Sequence, residues 1–102
     1  MSDWTKMQKV ILLFKCQPGM GEGLLEAFTT ALVDTRAFDG CISVETYVDA
    51  DNPDTIMLFE EWESKAQQET YVGWRIENGM IEMLAPILAE PMEMRYLDSH
   101  PA

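Results

Sequence analysis

Residues 8–16, QKVILLFKC, are apolar on both faces of an extended chain. Val10, Leu12, Phe14 and Cys16 would point one way, and Ile11 and Leu13 the other. A strand of this kind is an interior strand covered on both sides, so the rest of the chain must supply layers above and below it. Pro18-Gly19 then turns the chain. From Met20 to Ala37 the apolar spacing changes to three and four, with Leu24, Phe28, Ala31, Leu32 and Thr35 on one stripe, which predicts a helix packed on that strand. The glycine-rich PGMGEG lacks both the Walker Lys-Ser/Thr and the dinucleotide-fold glycine spacing, so it reads as a turn.

Asp39-Gly40 ends this unit. CISVETYVDA (41–50) returns to alternation, with Ile42, Val44, Thr46 and Val48 opposite Cys41, Ser43, Glu45 and Tyr47. DADNPD (49–54) reads as a turn; it lacks the glycine and distal Glu of a calcium loop. TIMLFEEWE (55–63) follows as the second arm of a hairpin. Ile56, Leu58, Glu60 and Trp62 share one face; Met57, Phe59, Glu61 and Glu63 share the other. Ser64 with Gln67 forms a capping box, so a helix starts there. Gly73 is expected to interrupt or bend it, and Val72, Ile76, Met80, Met83, Leu84, Ile87 and Leu88 form the stripe expected to face the core. Pro86 predicts a kink in its last turn. MEMRYL (92–97) is the fourth strand.

The order strand, helix, strand, strand, helix, strand predicts an α+β, ferredoxin-like βαββαβ domain, with both helices on one face of a four-stranded antiparallel sheet. At 102 residues a single domain is expected over 1–102, with loose tails at 1–8 and 99–102. The uncovered sheet face, carrying the second apolar set of the first strand, predicts a homodimer through the sheet.

Eighteen acidic against seven basic residues give a formal charge of −11, which repels phosphate and argues against nucleic acid or an anionic membrane as partner. No secretory signal is apparent and VILLF is too short to cross a bilayer, so a soluble, cytoplasmic protein is expected. Cys16 and Cys41 have neither metal-ligand nor redox-motif spacing. They fall at the far ends of two parallel strands, so both are expected to be free thiols. The one histidine, His100, lies in the tail, which excludes a histidine-rich metal site and argues against a His-based triad.

The candidate functional residues cluster in FEEWESKAQQETYVGWR (59–75). Trp62 has an indole N–H able to donate to a substrate oxygen; alternatively it is a core residue. Glu60, on the same face, becomes a general base if burial raises its pKa, or stays a plain carboxylate at an edge. Tyr71 can donate a hydrogen bond or relay a proton, and Trp74 and Arg75 can stack on or steer an anionic aromatic. On an unbroken helix, however, Tyr71, Trp74, Arg75 and Asn78 lie nearly opposite the apolar stripe, facing solvent, a neighbouring subunit or a pocket rim. The methionines fill the core, or Met57, Met80, Met83, Met92 and Met94 wall an apolar pocket.

With these elements in place, the chain resembles the antibiotic biosynthesis monooxygenase (ABM) domain family, including quinol monooxygenase-like members. The resemblance spans about Val10 to Asp98, through PGMGEGLLEAF, DTRAFDGCISVETYVDADNPDTIMLFEEWESKAQQ and MIEMLAPILAEPMEMRYLD. Its sharpest element is Glu60-x-Trp62-x-Ser64. The resemblance implies a dimeric α/β barrel that oxidises quinols or polycyclic phenols with O₂, without flavin, haem or metal. Trp62, Tyr71 and Glu60 would then be catalytic, and Arg75, Trp74 and Asn78 would bind a small aromatic substrate. Tyr71 occupies a position where many members carry histidine; the haem-degrading relatives use Asn, Trp and His together, and with no histidine outside the tail haem degradation is not expected. A non-catalytic binding or interaction module, or a cofactor-free isomerase or cyclase, is the alternative on the same scaffold.

Overall fold

The computed structural model describes residues 7–102. Its elements are β1 (Gln8–Lys15), α1 (Gly21–Ala37), β2 (Cys41–Asp49), β3 (Asn52–Trp62), α2 (Lys65–Glu77), α3 (Met80–Leu84) and β4 (Glu93–Leu97). The strands form one sheet in the order β2-β3-β1-β4, every neighbouring pair antiparallel, which is the ferredoxin-like α+β arrangement. The residues proposed as a loose start, 1–8, lie mostly outside the described ones; Gln8 already belongs to β1.

The core forms where the alternate face of β1 meets the α1 stripe. Val10, Leu12 and Phe14 are buried with Ile56 and Leu58 of β3, beneath Leu24, Phe28 and Leu32 of α1. Phe14 and Phe28 meet edge to face, with ring centroids 5.3 Å apart. Each fully buried side chain of this size is worth roughly 1.5–3 kcal/mol, so this row is the main source of cohesion between sheet and helix.

The glycine-rich turn is closed from within. Asp54 of β3 accepts hydrogen bonds from the backbone N–H of Gly19 at 3.0 Å and of Gly21 at 2.9 Å, taking the place of a side-chain cap that Met20 cannot provide. These amides are therefore committed to a carboxylate of the chain itself. Gly21 allows the close approach, since a Cβ there would stand 2.3 Å from the Pro53 carbonyl oxygen.

Four sequence expectations need correction. β3 reaches back to Asn52, pairing with Asp49, so the hairpin turn is only Ala50–Asp51 rather than the whole of 49–54. A bulge between Cys41 and Ser43 shifts the β2 alternation: Cys41 pairs with Trp62 on the core face, and Ile42 is left exposed. The second helix is continuous through Gly73 and breaks instead at Gly79, whose φ of +93° ends α2 and starts α3 in a new direction. Pro86 lies beyond the end of α3, in a turn that brings Ile87 and Ala89 into hydrogen bonds with Gln17 and Lys15. The Ser64–Gln67 cap is present, with Gln67 N–H donating to Ser64 Oγ at 3.2 Å.

Because the helix breaks, the Val72–Ile76–Met80–Leu84 stripe is not a single inward face. Gln68 and Tyr71 are buried, whereas Ile76 is 44% exposed. An aromatic ring buries more area than Val or Ile and packs against other rings, so the aromatic face of α2 wins the core. Gln68 ties α2 to β4, accepting a 2.6 Å hydrogen bond from the Tyr96 hydroxyl.

On the reverse face of the sheet Ile11 pairs with Phe59, and Leu13 with Met57, which pairs in turn with Tyr47. None of these side chains belongs to the core, and among the described residues no helix covers them.

Asp54 supplies a test of the turn. Its two backbone donors hold the carboxyl below the usual carboxylate range. The stability it contributes is therefore full above that range and lost as pH falls through it. Chemical denaturation of Asp54→Asn should show a variant weaker than the parent at about pH 6 and equal to it in strong acid. A gap of constant size across that range would place the effect elsewhere than in the charge.

Candidate functional site

Between the sheet and the helices lies an apolar cavity of about 170 Å³. Leu12, Phe14 and Leu58 of the sheet form its floor, Phe28, Ala31 and Leu32 of α1 one wall, and Met80, Met83, Leu84 and Met92 another. Its polar lining is four side chains: Glu60, Tyr71, Arg75 and Asn78. Of the five methionines expected to wall a pocket, Met80, Met83 and Met92 do so. Met57 instead pairs with Leu13 on the reverse face, and Met94 lines a neighbouring groove.

Glu60 sits on interior strand β3, on the face it shares with Leu58 and Trp62, and is 1% exposed. Its cross-strand neighbours are Val10 and Val44, both buried. Among the described residues the hydrogen bond to the carboxylate comes from Trp62 Nε1 at 2.9 Å. Burial pushes the Glu60 carboxyl above the usual range, and the Trp62 bond and the Arg75 charge only partly oppose it. The edge-carboxylate reading is thereby set aside.

Trp62 is fully buried and does not line the cavity. Expected as a donor to a substrate oxygen, its N–H is directed at Glu60 instead. Its ring packs against Phe38 and Tyr71, with centroids 6.3 and 5.1 Å away.

Tyr71 enters from α2 with its ring buried among Phe38, Trp62 and Trp74. Its hydroxyl lies 2.5 Å from Thr35 Oγ1 of α1 and accepts from Arg75 Nε at 2.7 Å. Arg75 also donates through Nη2 to Thr35 Oγ1 at 3.0 Å and to the Ala31 carbonyl. Burial pushes the Tyr71 phenol up, and the bonds from Arg75 and Thr35 oppose this in part, so the hydroxyl is a neutral phenol near neutral pH. Arg75 can only donate, so both oxygens accept from it. One proton then lies between them. If Tyr71 donates to Thr35, the Thr35 hydroxyl donates to the Ala31 carbonyl at 3.3 Å; if Thr35 donates to Tyr71, the Tyr71 hydroxyl hydrogen is free for another acceptor.

Tyr71, Trp74, Arg75 and Asn78, expected to face solvent, a neighbouring subunit or a pocket rim together, are instead divided. Tyr71 and Arg75 line the cavity. Trp74 is half-buried on the flank, outside the lining, with the Arg75 guanidinium 4.9 Å from its ring centre. Asn78 is at the rim and donates to the Trp74 carbonyl at 2.8 Å, closing the end of α2. Sequence reasoning missed Thr35, which it placed among apolar positions. A hydroxyl-bearing residue on an otherwise apolar helical stripe was the available signal. Both cysteines are free, and burial raises both thiols, away from a reactive thiolate. Among the described residues no group of three or more His, Cys, Asp or Glu side chains could hold a metal, and no helix is long and apolar enough to cross a membrane.

Solved structures share this architecture at low sequence identity. A conserved protein from Methanosarcina mazei Go1 superposes with a TM-score of 0.84 at 15% identity, over 96% of this chain and 97% of that one. Rv0793 from Mycobacterium tuberculosis gives 0.81 at 24% identity, over 95% and 98%. A structure described as an antibiotic biosynthesis monooxygenase gives 0.81 at 18%, over 92% and 99%. These likenesses bear on the fold alone. No curated protein matches the chain. The family model described as antibiotic biosynthesis monooxygenase matches residues 7–73, covering the buried carboxylate, its tryptophan and the Thr35–Tyr71 pair, and the chain belongs to that family.

Proposed function

We propose that this chain is a cofactor-independent oxygenase that acts on a small phenolic or quinol-like ring. The observation carrying this reading is the buried Glu60 carboxylate lining an otherwise apolar cavity, together with the Tyr71 and Arg75 side chains. A quinol needs little from a protein except removal of a proton and exclusion of water. Once deprotonated, it is electron-rich enough to pass an electron to O₂. Glu60 is the base that takes the phenolic proton, because a carboxylate with a raised pKa lies closer to the operating pH. Arg75 places positive charge beside the resulting phenolate, and the Tyr71 hydroxyl, in the arrangement that frees its proton, donates to it. With hydroquinone, one atom of O₂ enters the ring and the other leaves as water, giving hydroxyquinone. Trp62 acts through Glu60, as a positioning residue.

One observation favours binding without turnover: Arg75, Tyr71 and Thr35 are already satisfied by one another. O₂ uptake with hydroquinone separates the readings. An oxygenase turns over only in its presence, an isomerase or cyclase transforms its ligand without it, and a binding module does neither. Glu60→Gln should lower turnover by about 10²–10⁴-fold while the variant remains folded. It should also remove a pH dependence of stability. A carboxyl raised in the folded state favours folding when protonated, and that contribution is lost as pH rises through its folded pKa. Glu60→Gln should therefore gain on the parent in denaturation midpoint as pH rises, and unchanged turnover would dismiss Glu60 as the base.

Trp62→Phe tests the positioning role separately. Loss of the indole donor leaves Glu60 with burial less opposed, so the rise of kcat with pH should move to higher pH with little change in KM. A uniform fall in kcat at every pH would mean that Trp62 only supports the core.

We also infer that the reverse face of the sheet, with Ile11, Leu13, Met57 and Phe59, is covered by a second copy of the chain. Phe59→Glu should shift the mass in light scattering from two chains to one. A parent that is already monomeric refutes the pairing.

A further inference from the structure

Beside the Glu60 cavity lies a second hollow, a groove of about 650 Å³ between the outer face of α2, α3 and the segment leading to β4. Its lining is almost wholly aliphatic, with one charged side chain, Glu90. It takes the very stripe that the helical periodicity assigned to the core: Val72 and Ile76 line it, and Ile76 and Ile81 are 44% and 55% exposed. Met80, Leu84 and Met92 line both hollows and so form a shared partition.

Two of these three are methionines. Their unbranched thioether chains have several rotamers close in energy and re-pack easily around a guest. The partition is thus a movable wall between a small chamber with polar groups and a larger chamber without them. The small chamber is close in size to a cavity of about 150 Å³, which a single benzene ring fills. Anything longer than one ring must either project into solvent past Asn78 or pass the methionines into the groove. The groove's apolar lining gives a hydrocarbon substituent a favourable place and a charged or hydroxylated one none.

We propose that the groove is a tail subsite, and that the ligand is a single phenolic ring bearing an apolar substituent that passes between Met80 and Met92. This rests on the proposed function for the identity of the ring, and on the shared partition for the tail. Ring hydroxyls are read by Glu60, Tyr71 and Arg75, and the substituent by Val72, Ile76 and Ile81. Chain length on the ring then sets affinity.

The test is anaerobic calorimetric binding of hydroquinone and 2-butylhydroquinone to the full chain, repeated with Ile76→Glu and Ile81→Glu. Both positions are exposed enough to accept a carboxylate without disturbing the core. Val33→Glu, on an α1 position 61% exposed and outside either hollow, is the control. Four methylene-sized groups moved fully out of water correspond to a gain of up to about 200-fold, so in an open groove the butyl compound should bind at least about 30-fold more tightly to the parent and to Val33→Glu. Ile76→Glu and Ile81→Glu should each remove about 10-fold or more of that gain and leave hydroquinone binding within about twofold. Equal affinity for the two compounds overturns the proposal, as does an equal loss in all three variants, which would mean non-specific adhesion. If instead the groove variants change the mass of the assembly and leave butyl affinity intact, a second copy of the chain occupies the groove and the proposal fails. Tail-dependent binding without O₂ uptake supports the subsite and removes the oxygenase. O₂ uptake with no preference for the tail does the reverse.

Discussion

The arrangement depends on the desolvation of a single carboxylate. Glu60 occupies a position on an interior strand where Val, Ile or Leu would stabilise the domain, flanked by Val10 and Val44. An ionised group there is costly without a partner, and the described partner is the Trp62 indole N–H. Such a group shifts its pKa upward and takes up a proton more readily than a solvated carboxylate. The same burial that weakens the fold at high pH is what would suit the side chain to the proposed role of base. Stability and chemistry thus act in opposite directions at one residue, as is common where a functional group is set into a core.

The break at Gly79 decides what surrounds that carboxylate. A helix running straight from Ser64 to Leu88 would carry the Val72–Ile76–Met80–Leu84 face along a single line. Turned at Gly79, α2 presents Tyr71 and Arg75 to the sheet while α3 presents Met80, Met83 and Leu84 to the same space from another direction. The cavity therefore combines a polar end from α2 with an apolar wall from α3. Thr35 completes it from α1, so three helices and the sheet meet around a volume suited to one ring.

Much of the fold was legible because it rests on local periodicity. The alternation of β1, the α1 stripe and the Ser64–Gln67 cap each follow from side-chain spacing, and the order of elements then limits the topology to very few choices. The errors have local causes that spacing does not encode. A bulge changes which residues share a face without changing composition, so Cys41 and Ile42 exchanged sides. Gly73 and Gly79 look alike in sequence, yet only Gly79 has the positive φ that ends a helix. The α2 face was inverted because both of its sides carry burying side chains, and the choice was made by rings contributed from elsewhere, Phe38 and Trp62. In the site, Glu60 and Tyr71 could be picked out by residue type and neighbourhood. The hydroxyl of Thr35 on an apolar stripe was a signal of position only; its bond to Tyr71, like that from Trp62 to Glu60, depends on an orientation reached only after packing.

The contacts of Arg75 explain how the site holds both a carboxyl with a raised pKa and a cation. Among the described residues the ion pairs are Lys15–Glu90 and Arg95–Glu93, and Glu60 with Arg75 is not among them. A direct pair would have drawn the carboxyl far down and spent both charges on each other. Instead the guanidinium is held by neutral oxygens, the Tyr71 and Thr35 hydroxyls and the Ala31 carbonyl. Among the described residues no carboxylate pairs with it directly, while Glu60 keeps its raised pKa. A ligand that delivers a proton to Glu60 and acquires negative charge on its own oxygen would neutralise both ends at once, and a phenol is the simplest group that does so.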